Sequence, residues 1–433
     1  MAKIFIEEST LSAIGDSIRA KTGKTDMISP LNMPTEIASI QTGGGGSSAP
    51  VSANDVTFYD YDGTVVASYT LEEAQALTVL PDGLTHDGLT FQGWNWSLAD
   101  INALTRPMNV GAMYITDDGK TRLYIHIADK VRSTVPLYIS QTVANGVTID
   151  WGDGSATETL AGTGNVNTSH AYGVAGDFTI SLDVADGCTL GLGNGSKSYC
   201  VMGSTGNTGR VYCNMLQKAE VGSRVTSIES SAFYYCNSLS SITIPDGVTS
   251  IGTYAFYYCN SLSSIIIPYG VINIDTFAFS SCYSLVSIAI PDGVTSIKDY
   301  TFNSCRSLAS IAIPDGVTSI DASPFYNCNS LSSIIIPYGV TRIDASAFCN
   351  CYSLASIIIP YGVTRIGDSA FKTCYGMAEY HLKPTTPPTL LNANTFDGIP
   401  SDCIIYVPQG CLEAYQNATN WTTYASYMQE EPL

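Results

Sequence analysis

Between residues 236 and 374 the hydrophobic and polar positions repeat with a period of 23. The stretch "CNSLSSITIPDGVTSIGTYAFYYC" (236–259) is followed at once by "NSLSSIIIPYGVINIDTFAFSSC". Leu239, Ile242, Ile244, Val248, Ile251 and Phe256 return at the same phase as Leu262, Ile265, Ile267, Val271, Ile274 and Phe279, which marks them as inward positions. "SITIP" and "SIIIP" alternate as β-strands do, and Pro-Asp-Gly or Pro-Tyr-Gly supplies the turn that ends each one. One copy cannot bury its apolar face, so the copies are expected to stack into a solenoid.

The phase also sorts the outward positions. The residues before and after each cysteine differ between copies: Tyr234, Tyr235, Tyr257, Tyr258, Tyr283, Tyr326 and Tyr352 fall there, with Ser, Asn, Lys or Arg in other copies. Tyr gives large contact area at small entropic cost, which makes these tyrosines candidate ligand-binding residues. The side chain between the two inward isoleucines is Thr243, Ile266, Ala289, Ala312, Ile335 or Ile358. Stacked, it forms an apolar stripe beside a serine ladder, Ser241 to Ser356, and is expected to meet another subunit or domain.

Upstream, residues 43–50 read "GGGGSSAP", a flexible linker. Before it, Leu11, Ile14 and Ile18 share a helical face, and "NMPTEIASI" starts a second helix with Asn32 as candidate N-cap, Pro34 in its first turn and Ile37 following. So small a pair needs a partner or copies of itself for its core. After the linker, "VTFYDYDGTVVASYTL" alternates and "FQGW" closes the segment at Phe91, Gly93 and Trp94; a third segment carries "WGDG" (151–154) and "HAYGVAGDFTISL" (170–182).

Composition narrows the function classes. With 45% hydrophobic residues the chain can fill several cores, and 38 acidic against 19 basic residues give a net charge of −19. Nucleic acid is not an expected partner, since phosphate binding needs a basic patch. No run of 18 apolar residues occurs, and "MAKIFIEEST" places acids where an export signal needs an apolar core, so neither membrane insertion nor that export route is expected. Eight of the 13 cysteines, Cys213 to Cys374, lie 23 apart, a repeat signature rather than a pairing signature. They are expected to be reduced and buried, although stacked coils would bring neighbours within bonding range. No metal site, cofactor or catalytic motif is found, and the four histidines are scattered, so the protein is not expected to be an enzyme.

The pattern "LSSIxIPxGVTSIxxxAFxxC" resembles the BspA-type leucine-rich repeat, and "PPTLLNANTFDGIPSDCIIYVPQGCLEAYQNATNW" (387–421) is similar to that family's closing cap. The "FxGW" segment resembles an internalin-type B repeat, and the "WGDG" segment a PKD-like sandwich, in which Trp151 packs inside and Asp153 is structural, weak calcium binding being the alternative. The first forty residues resemble the N-terminal piece of tail-associated phage proteins. Together these imply a mainly β, multidomain chain: a helical attachment segment (1–42), a linker (43–52), a β-grasp-like unit (53–118), a PKD-like β-sandwich (119–204), a leucine-rich-repeat solenoid (205–386) and a cap (387–433). The function implied is a phage tail fibre or tail-tip receptor-binding protein, located in the virion and homotrimeric. Leu11, Ile14, Ile18 and Ile37 would attach it to tail or baseplate proteins, and the solenoid would bind a bacterial surface glycan or protein. The alternative is a BspA-like adhesin of a bacterial cell surface.

Overall fold

The structure, a computed structural model, describes residues 56–60, 64–84, 89–94, 98–102, 109–116, 118–128, 133–193, 199–204 and 210–432. Leu11, Ile14, Ile18 and Ile37 lie outside the described residues. The chain is mainly β and divides into two compact units, Met1–Asp117 and Asp118–Leu433.

In the first unit, β1 (Val56–Tyr59) and β2 (Val65–Tyr69) form one hairpin, and β3 (Leu89–Trp94) and β4 (Asn109–Thr116) another. They join through a parallel β1–β4 pair, giving the order β2-β1-β4-β3. Helix α1 (Leu71–Gln75) starts at a capping box: the Glu73 N–H donates to Thr70 Oγ1, and the Thr70 N–H to Glu73 Oε2. Phe58 and Trp94 pack edge to face at 4.9 Å in a small core with Val56, Ala74, Ile101 and Val110.

The second unit begins with β5 (Thr121–Ile127), β6 (Thr134–Gln141), β7 (Val147–Asp150), β8 (Glu158–Thr159), β9 (Gly164–Ala171), β10 (Gly176–Val184) and β11 (Leu190–Leu192). Alternate residues such as Leu123, Ile125 and Ile127 point into the core between two sheets. Gly152 takes φ +76° in the "WGDG" turn, where a Cβ would collide with the Thr179 carbonyl. Neither sheet stops where the repeats begin. The strand Leu216–Glu220 pairs antiparallel with β5 and parallel with the repeat strand Ser241–Thr243. β11 pairs antiparallel with β6 and parallel with Ser227–Ile228. The sheets of the sandwich thus become the two strand rows of the solenoid, and one hydrophobic core runs from Leu123 to Met428. The first coils have no open edge because antiparallel strands precede them.

Each coil contains a strand of the first row, a Pro-x-Gly turn, a two-residue strand of the second row and an arc leading to the cysteine. Rows pair parallel and in register, for example Ile288↔Ile311 and Ile320↔Ile343. Eight phenylalanines stack through the centre, from Phe233 to Phe396, at 5.2–5.8 Å. In the arc two non-glycine residues per coil are left-handed, such as Ser231 (φ 62°) and Tyr235 (φ 60°). This turns their N–H groups toward the next coil: those of Ser231 and Tyr235 donate to the carbonyls of Thr253 and Tyr257. The arc therefore has a ladder of its own, which offsets the cost of that conformation.

The cysteine closes the arc. From Cys259 to Cys374 each thiol donates to the carbonyl of the phenylalanine 26 residues earlier, at 3.1–3.2 Å. A small buried residue with a donor satisfies that carbonyl, which alanine could not. All 13 cysteines are free. Burial pushes the thiols of Cys236, Cys282 and Cys374 up to about 12, so they stay protonated and unreactive at neutral pH. Native alkylation at pH 8 should therefore spare Cys236 to Cys374 and label the half-buried Cys411, whereas unfolding should open all of them; mass spectrometry showing rapid native labelling of the ladder would contradict this.

Candidate recognition surface

The arc tyrosines are half-buried, because each rests on its neighbour. Tyr234 stacks on Tyr257 at 5.1 Å and Tyr235 on Tyr258 at 4.6 Å, and Tyr258 meets Tyr283 edge to face at 5.7 Å. The Arg210 guanidinium lies 3.8 Å from the centre of the Tyr235 ring, and Arg306 lies 4.9 Å from Tyr283. Tyr326 is half-buried further along, and the exposed Tyr352 stacks on Tyr375 at 5.5 Å. Arg306 and Asn329 occupy the position after the cysteine between Tyr283 and Tyr352. The structure thus gathers Tyr234, Tyr235, Tyr257, Tyr258 and Tyr283 into one cluster and sets Tyr326 and Tyr352 apart from it.

The most exposed rings lie elsewhere. Tyr269, Tyr338 and Tyr361, at the tips of the Pro-Tyr-Gly turns, are 81%, 79% and 67% exposed. Beside them on the first strand row, Ile266, Ile335 and Ile358 are 57%, 82% and 53% exposed. The alternation of Pro-Asp-Gly with Pro-Tyr-Gly was the signal in the sequence, read there only as turn chemistry. On the neighbouring row, charges pair between coils: Asp275 with Lys298 at 3.1 Å, Arg342 with Asp321 at 2.8 Å and Arg365 with Asp344 at 2.5 Å.

In the sandwich, Asp153 Oδ2 lies 2.7 Å from His170 Nε2, and His170 stacks on the buried Trp151 at 5.0 Å. Hydrogen bonds from the Ser155 side chain, His170 and the Ser155 N–H hold the Asp153 carboxyl well below the usual carboxylate range. A depressed carboxyl contributes stability that is fully present above its unfolded value near pH 4 and lost as pH falls through its folded value. Asp153→Asn should therefore melt below the parent at pH 7, with the gap narrowing steadily as pH falls below 4; a constant gap would show that the carboxylate is not its source. Among the described residues, no group of three or more His, Cys, Asp or Glu is placed to hold a metal ion.

The family comparison agrees with the repeat architecture. The family profile described as "BspA type Leucine rich repeat region" matches six copies, over residues 211–297 and 272–398. Among solved structures, a leucine-rich repeat protein of T. pallidum is 29% identical, covering 37% of this chain and 78% of that one, with a TM-score of 0.35. A leucine rich cell surface protein from Faecalibacterium prausnitzii A2-165 is 28% identical over 51% of this chain and 65% of that one, with a TM-score of 0.34. The pneumococcal vaccine antigen PcpA is 16% identical over 50% and 66%, with a TM-score of 0.34. No curated protein sequence matches the chain. What these findings show of identity is the solenoid: residues 211–398 are a run of BspA-type leucine-rich repeats.

Proposed function

We propose that this protein is a BspA-like adhesin, a recognition protein of a bacterial cell surface whose solenoid holds a glycan or protein of the opposing surface. One observation carries the reading. The inward side chains, the phenylalanine stack and the thiol ladder are held constant from coil to coil, while exposed positions such as 266, 269, 289 and 292 vary. A frame built to present a tunable surface has that distribution. No catalytic step is proposed.

A second reading places the same surface on a phage tail, as a trimer. It draws on the sequence of residues 1–42, and the repeats serve either carrier equally. Two measurements decide. Antibodies to the chain should label the envelope of intact bacteria, and the purified full chain should bind a bacterial or host cell surface saturably. Detection of the chain only in purified phage particles would overturn the cell-surface setting, and binding to no surface would overturn adhesion itself.

A further inference from the structure

Two outward positions change together from coil to coil. The strand residue and the turn residue three places later read Thr243 and Asp246, Ile266 and Tyr269, Ala289 and Asp292, Ala312 and Asp315, Ile335 and Tyr338, Ile358 and Tyr361. Isoleucine always accompanies tyrosine, and a smaller residue always accompanies aspartate. The core does not require this, since the inward isoleucines flanking the strand position are buried in both kinds of coil. The turn does not require it either, since Asp and Tyr occupy the same Pro-x-Gly frame. What the two kinds differ in is the surface they show to water.

In register, the coils line these surfaces up at about 4.8 Å per step. Ile266 with Tyr269 makes one apolar patch, and Ile335, Tyr338, Ile358 and Tyr361 make a larger one, three steps or roughly 14 Å away. Between them stand Asp292 and Asp315, both exposed. Asp275, Asp321 and Asp344 on the other row each hold a cation, whereas among the described residues none pairs with Asp292 or Asp315. Large exposed apolar groups in two places, with uncompensated acid between them, describe the complement of a ligand.

We propose that this row docks an extended segment of another polypeptide, carrying apolar side chains at two points and Lys or Arg between them. At about 3.3 Å per extended residue the 14 Å gap sets those points four to five residues apart. A second copy centred on the two acids does not fit. The coil series from Ile266 to Tyr338 reads the same from either end, so a two-fold partner would set Asp292 against its own Asp315. A glycan could stack on the tyrosines but would bury little of the isoleucines, whose gain comes from apolar contact. The proposal rests on the reading of the solenoid as a recognition surface and adds the class of ligand.

The test is selection of a displayed library of random 12-residue peptides on the immobilised full chain. Convergence on two apolar or aromatic residues four to five apart, with Lys or Arg between, is the expected result. Against the selected peptide, Ile335→Ser with Tyr338→Ser should weaken binding more than tenfold. Asp292→Ser with Asp315→Ser should do the same at low salt and less at high salt, all variants melting as the parent does. No convergent sequence, an acidic consensus, or binding of the selected peptide by either variant as tight as the parent's at low salt would overturn the site. The adhesin reading fails separately: if the parent chain and both variants bind cells equally, this site is wrong and adhesion stands. If the chain binds no cell yet selects such peptides, adhesion is wrong and the site stands.

Discussion

Replacing Phe302 with alanine is expected to lower the free energy of unfolding by about 3–5 kcal/mol, more than any surface change. The ring is fully buried, 5.7 Å from Phe279 and 5.8 Å from Phe325, with interplanar angles of 5° and 6°. These are the widest intervals in the stack, and they coincide with Thr301 and Pro324 standing where the coils of Phe233, Phe256, Phe279, Phe348 and Phe371 have alanine. A cavity here has rigid walls on both sides: the N–H of Phe302 bonds the Pro324 carbonyl, and its own carbonyl accepts from the Cys305 N–H and the Cys328 thiol. The backbone therefore holds its place while the ring is missing, and collapse cannot recover the lost contacts. Phe302→Leu keeps most of the volume and should cost less than half as much. Urea unfolding followed by tyrosine and tryptophan fluorescence reads both. The alanine variant should lower the midpoint, and in a linear array a weak coil can split the transition in two. An unchanged midpoint would mean that the stack does not hold the coils together.

The frame was legible in the sequence because its period is local. Leu239, Ile242, Ile244, Val248, Ile251 and Phe256 show their role by return at 23 residues, and all six are buried. The cysteines were legible as small buried corners, but their work as donors to the phenylalanine carbonyls was not, since the partner lies 26 residues back on the neighbouring coil. The left-handed residues of the arc carry no sign either: Tyr254, Phe277, Tyr300 and Thr373 are types that avoid that region, placed there by the inter-coil ladder. A composition change near residue 205 is visible, yet the sheets run straight through it. Leu192 meets Ile228, and Lys218 meets Ser241, across separations that no local pattern reports. The tyrosines mislead for a similar reason. Variation beside the cysteine looks like exposure, but rings one coil apart cover each other, whereas those at the turn tips project beyond the stack.

Trp421→Ala is expected to unseat the far end of the solenoid at a cost of about 3–5 kcal/mol, with association of the exposed end as its second sign. The phenylalanine stack has to stop somewhere, and its last ring, Phe396, lies 5.4 Å from Trp421. Trp421 is fully buried, packs edge to face on Tyr415 at 5.2 Å, and donates through Nε1 to the Pro388 carbonyl at 2.7 Å. Its neighbour Asn420 donates to the Leu390 carbonyl on the last strand of the second row, Thr389–Leu390. The first row ends differently, with Met428–Glu430 added as a parallel strand beside Ile404–Val407. Among the described residues the second row has no further strand to satisfy it, and the side chains around Trp421 close it instead. Truncation leaves a cavity and an unpaired carbonyl together, at a sheet end where another chain could add. Trp421→Phe separates the two losses: it keeps a ring against Phe396 and removes only the N–H, for about 1–3 kcal/mol. Thermal melts should rank the parent, phenylalanine and alanine proteins in that order, and light scattering should rise with concentration for the alanine protein. If alanine leaves both the melt and the scattering unchanged, the stack ends without needing its cap.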